Sequence, residues 1–205
     1  MKKLVKMVGL LLIAGALLAG CNKDADGPAD IVTNEVVLSN GTWASEQLMT
    51  GASESSGGSS SFKMENKSTF DVDGEKITFK SNWNSTTMIT TYPDSANDAT
   101  IQAVKDFYNL MAAGATLAGK TASSTQEGKT LTFSMSGDST AAELAQMNDE
   151  MSSASEYKAQ FPSSAVIKTN ERQTVYEITW SENYDDPEMN IVSLPCTCTM
   201  TIKKQ

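Results

Sequence analysis

Apolar and polar positions alternate over much of this chain. Cys196, Cys198, Met200 and Ile202 take one side of a run near the C-terminus, and Thr197, Thr199, Thr201 and Lys203 take the other. A period of two predicts a strand with one buried face and one wet face. The same rule predicts strands at 129–135, where Leu131, Phe133 and Met135 share a side, and at 174–180, where Tyr176, Ile178 and Trp180 do. Further β runs fall at 62–72, 76–80 and 86–92, and a first strand or strand pair at 36–38 and 41–50. Asp73-Gly74 between two such runs signals a hairpin with a type I′ turn. The runs at 165–168 and 174–180 read as another hairpin, across Asn170-Glu171. DGEKITFKS at 73–81 and EGKTLTFSM at 127–135 repeat one turn-then-strand pattern. GASESSGGSSS, residues 51–61, is low in complexity and predicts a mobile loop.

Two stretches change period. Residues 97–113 place Ile101, Val104, Tyr108 and Met111 at helical spacing, with Gly114 as a stop. Residues 140–151 open with Thr140 and Glu143 in capping-box spacing and carry a stripe of Leu144, Met147 and Met151. Many strands with two inserted helices predict an α+β domain, mainly antiparallel β, with a sandwich-like or barrel-like sheet.

The first 21 residues obey a different rule. Lys2, Lys3 and Lys6 precede an uncharged apolar stretch from Val8 to Ala19. That stretch is short of the roughly 20 residues that span a bilayer, and it has the form of a secretory signal. The tetrapeptide Leu18-Ala19-Gly20-Cys21 then resembles the lipobox of bacterial lipoproteins. The resemblance implies diacylglycerol on the Cys21 sulfur, cleavage before Cys21 and acylation of the new N-terminus. It implies a partner too, the membrane, reached through lipid chains at Cys21. Two or three chains give stable anchoring that one chain does not. The expected organisation is a signal peptide at 1–20, a lipidated flexible tether at 21–35 and one globular domain at 36–205. Asn22, where many Gram-negative lipoproteins retained at the inner membrane have Asp, points to the outer membrane. Lys23-Asp24 resembles short signals for the outer cell face, and the choice of face stays open.

Charge removes several classes of function. The chain has 16 Lys+Arg against 25 Asp+Glu, a net charge of −9. Removal of residues 1–20 would take three of the cations and none of the acids. So acidic a surface repels phosphate backbones, and no nucleic-acid partner is expected. Histidine is absent, which excludes His-based triads and His-containing zinc sites.

Cys196, Cys198 and Met200 are the most unusual group. Residues two apart on a strand have Cα atoms about 6.6 Å apart, the upper edge of disulfide geometry. Three soft sulfurs on one face suit Cu(I). Plain core packing explains them as well, and no Cys-x-x-Cys helix start is present to lower a thiol pKa. Glu182, Asp185, Asp186 and Glu188 around Pro187 have the chemistry of a calcium loop, or of a solvated turn. Asn22, Asp24 and Asp26 begin like a calcium loop, but Thr33 stands where its bidentate acid belongs. Asp71 and Asp73 imitate a general acid–base pair, though a turn accounts for Asp73. Trp43, Trp83 and Trp180 are read as core aromatics rather than a pocket.

Gly41-Thr42-Trp43 near the start of a meander resembles the Gly-x-Trp signature of lipocalins and lipocalin-like lipoproteins. That resemblance implies a barrel with Trp43 plugging its closed end and a ligand among apolar interior side chains. The two helices depart from the pattern. The reading favoured by the sequence is a non-catalytic, lipid-anchored envelope protein with a binding or interaction role and no cofactor. A lipocalin-like carrier of small apolar ligands is the alternative, and a Cys/Met metal or thiol-redox protein the second.

Overall fold

In the computed structural model the described residues are 27, 29–186 and 191–205, with backbone alone for 184–186 and 191–193. Among them are nine strands, of which those at 31–33 and 121–127 coincide with no period-two run. These are β1 (Ile31–Thr33), β2 (Gly41–Ser55), β3 (Gly58–Asp73), β4 (Lys76–Thr91), β5 (Thr121–Glu127), β6 (Thr130–Asp138), β7 (Val166–Thr169), β8 (Val175–Asp186) and β9 (Ile191–Lys204). Three helices interrupt them: α1 (Asp98–Leu117), α2 (Ala141–Glu150) and α3 (Ala154–Ala159). The strands make one sheet in the order β1-β7-β8-β9-β2-β3-β4-β6-β5, antiparallel at each step. The expected class, α+β and mainly antiparallel, is the class observed. The sheet is open, with β1 and β5 at its two ends.

Local chemistry sets the turns and caps. Asp73 pairs with Lys76 across Gly74-Glu75, and Glu127 with Thr130 across Gly128-Lys129. The first loop residue has φ +60° at Gly74 and +58° at Gly128, values that glycine adopts at no steric cost. Glu75 and Lys129 keep negative φ, so neither turn is the type I′ that Asp-Gly suggests. Thr140 and Glu143 form the expected capping box on α2, and Ser153 and Glu156 form a second on α3.

Several expectations need correction. Residues 51–61 are not a mobile loop. Gly51 to Ser55 pair in register with Phe62 to Gly58, so this stretch is the far end of the β2–β3 hairpin. Glycine and serine lack large side chains, but the backbone ladder does not need them. The tether does not reach residue 35, because Ala29 is buried and Ile31 to Thr33 pair with β7. Val36-Val37-Leu38 lies outside the sheet. Val36 and Leu38 are buried, and Val37 exchanges two hydrogen bonds with the Tyr176 hydroxyl, at 3.0 and 2.9 Å. A side chain satisfies that backbone in place of a neighbouring strand. Gly114 does not stop α1, which runs on to Leu117. The short α3, missed by the sequence reading, has too few residues to show a period.

All three helices lie on one face of the sheet. Met147 and Met151 from α2 and Tyr157 from α3 join a core of Phe70, Phe79, Ile178 and Ile202, among others. Ile101 and Tyr108 from α1 make a second core with Leu131 and Phe133 of β6. Cys196, Cys198, Met200 and Ile202 are all buried on this inner face, while Thr197 is exposed and Thr199 and Thr201 half-buried.

Candidate functional site

Side chains at several inward positions in the middle of the sheet are polar. Trp43 and Met49 fix the inner face of β2, and Ser45 and Gln47 lie between them. Phe62, Met64 and Phe70 do the same for β3, with Asn66 and Ser68 between. On β4 the register shifts after Phe79, so that Asn82, Asn84 and Thr86 face inward. Register brings these residues side by side. Gln47 stands opposite Asn66 and Asn66 opposite Asn84; Ser45 stands opposite Ser68 and Ser68 opposite Asn82. The result is two polar rows across the middle of the inner face.

Some of this polarity is satisfied locally. The Ser68 hydroxyl lies 2.8 Å from Asn82 Oδ1 and 3.1 Å from Asn66 Oδ1. Asn82 Nδ2 donates to Ser139 Oγ at 2.8 Å. Tyr157 bonds to Ser45 and lies 3.8 Å from Met200 Sδ; burial pushes its phenol pKa well up and keeps it neutral. Asn84 is different. It is 4% exposed, and neither its Nδ2 nor its Oδ1 has a partner among the described residues. Gln160 Nε2 is likewise buried without a partner. Each such group costs about 1–3 kcal/mol. Beside the rows is a cavity of about 20 Å³, lined by Ser45, Gln47, Asn66, Ser68 and Gln160 with Tyr157, Phe79 and three methionines.

The sulfur group is placed where the alternation put it. Among the described residues, neither Cys196 nor Cys198 is in a disulfide. Cys196 Sγ contacts the Leu194 carbonyl at 3.0 Å, Cys198 Sγ donates to Glu182 Oε1 at 3.4 Å, and Met200 faces Tyr157. Burial raises the Cys198 pKa strongly, and the Glu182 carboxylate raises it further. A thiol held protonated is a poor nucleophile and a poor metal ligand. Cys198 is therefore expected to react slowly with iodoacetamide at pH 8 in the native protein and rapidly in guanidinium, and Cys196 is shielded in the same way by burial. Fast native labelling of Cys198 would show a reachable thiolate.

Other candidates separate in space. Asp71 lies at the surface, where a hydrogen bond from Lys80 and then one from Thr42 hold its pKa down; Lys80 also forms an ion pair at 2.9 Å. Asp73 closes a hairpin with Lys76, so the two carboxylates share no task. Of the acidic group near Pro187, Glu182 serves Cys198, Glu188 lies outside the described residues, and Asp185 and Asp186 are described by backbone alone. Asn22, Asp24 and Asp26, like Cys21, are also outside the described residues. Among the described residues, no group of three or more Cys, Asp or Glu has the geometry of a metal site.

Trp43 is fully buried, with its indole N–H on the Ser39 carbonyl at 2.8 Å and its ring tilted against Tyr176. Trp180 packs against Phe161, and its buried Nε1 has no partner among the described residues. Trp83 is the exception to the core expectation: it sits half-buried on the outer face beneath Lys67 Nζ, 5.9 Å from the ring centre. The closed sheet that a lipocalin-like carrier requires is not formed, because β1 and β5 do not meet.

The sequence reading missed the polar rows. Their signal is a break of phase: Ser45 and Gln47, and Asn66 and Ser68, occupy positions that flanking Trp, Phe and Met assign to the core. The rows of β4 are hidden by the register shift beside Lys80. No family model matches the chain, and no match is found among curated proteins or solved structures.

Proposed function

We propose that this is a non-catalytic, lipid-anchored protein of the bacterial cell envelope with a binding role, held to the outer membrane through Cys21. The observation that carries the anchor is the run of basic start, apolar stretch and Leu18-Ala19-Gly20-Cys21 at the head of the sequence. The polar rows support binding over catalysis, since they offer neutral amides and hydroxyls and a phenol held in its neutral form.

Labelling with radioactive palmitate tests the anchor. The wild-type chain should take up label and sediment with membranes, and Cys21→Ser should do neither. A Cys21→Ser protein that is still cleaved and still sediments would overturn the proposal.

A further inference from the structure

Unpartnered amides in the middle of a sheet face are a poor way to fill a core, because leucine would fit the space of asparagine without stranding a donor and an acceptor. Asn84 keeps that arrangement on β4, and Gln160, the residue that ends α3, strands an amide N–H at the wall of a cavity. About 20 Å³ holds a single water or the end of a small molecule. Gln160 is half-exposed, so it marks the side where the cavity approaches the surface. Among the described residues, no charged side chain lines the cavity. An ionised group there would lose its water with no opposite charge to replace it. The polar lining offers both donors and acceptors, from Gln47, Asn66 and Gln160 amides and Ser45 and Ser68 hydroxyls.

We infer that this cavity binds one uncharged hydroxyl or amide group of a small ligand, with a water taking its place when the ligand is gone. The inference rests on the binding role proposed above and not on the lipid anchor. The ligand group donates and accepts at once: it takes the Gln160 N–H that has no other use and returns a hydrogen to an acceptor of the rows. Methionine and phenylalanine around it accept an alkyl stem. Specificity against acids follows from desolvation alone.

Acetamide and acetate, alike in shape and different in charge, are the probes. Side-chain amide signals of Gln160, Asn66 and Gln47 are followed by NMR during titration of the folded protein. Methanol supplies the hydroxyl case, and water–amide cross-relaxation reports a long-lived water. Acetamide and methanol should shift these signals saturably and displace that water, and acetate should not. Gln160→Leu should weaken acetamide binding about tenfold, the loss of one hydrogen bond. Gln160→Glu places a charge at the same wall and should abolish it. A long-lived water that neither probe displaces would overturn the inference, as would equal responses to acetate and acetamide. So would acetamide binding of unchanged affinity in Gln160→Leu, read from the Asn66 and Gln47 amides. Failure here leaves palmitate labelling at Cys21 unaffected, so the two proposals fall separately.

Discussion

Met200→Asp is expected to lower the stability of the domain by about 3–5 kcal/mol, the usual consequence of an unpaired buried charge. Met200 is 5% exposed, stands between Ile178 and Gln47 in the sheet, and meets the Tyr157 hydroxyl. Thr199→Asp, one residue away, should cost about 0.5 kcal/mol, because its side chain lies on the outer face between Thr179 and Leu48. Denaturant midpoints at unchanged slope decide the matter. In thermal unfolding the gap should be on the order of 10 °C for a domain of this size. Equal losses would mean that both faces are covered. Reversed losses would put the sulfur side of β9 in solvent.

The second large effect is expected at the Lys120–Glu143 ion pair. Lys120 begins just after α1, and its ammonium is almost fully buried, 2.9 Å from Glu143 Oε2 and 2.6 Å from the Asp138 carbonyl. Glu143 is partly exposed and also caps α2 through the Thr140 N–H at 2.6 Å. Removing the acid leaves a buried ammonium without its counter-charge and removes one of the two bonds of the capping box, so Glu143→Ala should cost about 3–5 kcal/mol. Lys120→Met leaves an acid that can still reach water and Thr140, and should cost clearly less. The double variant Lys120→Met with Glu143→Gln should be no worse than Lys120→Met alone. A cycle in which Lys120→Met is the more damaging change would refute this asymmetry.

Acidity probes the same contact. Burial pushes the Glu143 pKa up, but the Thr140 N–H and then Lys120 together outweigh it and leave the pKa below its ordinary value of 4.5. A depressed pKa contributes stability that is present above 4.5 and lost as pH falls through the folded value. The wild-type protein should therefore lose stability below pH 4.5 more steeply than Glu143→Gln does.

Much of the sheet could be read from residue types. The face of β9 followed from four apolar side chains alternating with three threonines and a lysine. The capping box of α2 followed from Thr140 and Glu143 alone. What could not be read depends on partners far along the chain. Whether Ser53 sits in a strand is decided by Ser60 opposite it, not by serine's own preference. Val36 and Leu38 alternate like a strand, yet Tyr176, 139 residues from Val37, takes the hydrogen bonds. The candidate site was hardest to see, because its mark is the absence of apolar residues at inward positions. On β4 even those positions are displaced by the register shift beside Phe79.

The place of β9 in the strand order has a kinetic meaning. It joins β8 on one side to β2 on the other, so Trp43 pairs with Lys204, nearly the whole domain apart in sequence. The halves β1-β7-β8 and β2-β3-β4-β6-β5 share no ladder except through this strand. Closing so long a loop must precede the contacts that reward it, which places folding among the slower, milliseconds-to-seconds domains. A chain emerging N-terminus first would present β2 as an unpaired edge until β9 follows. The wait exposes the strand most in need of a neighbour, and makes β2 the segment that a chaperone of the nascent chain has most reason to shield.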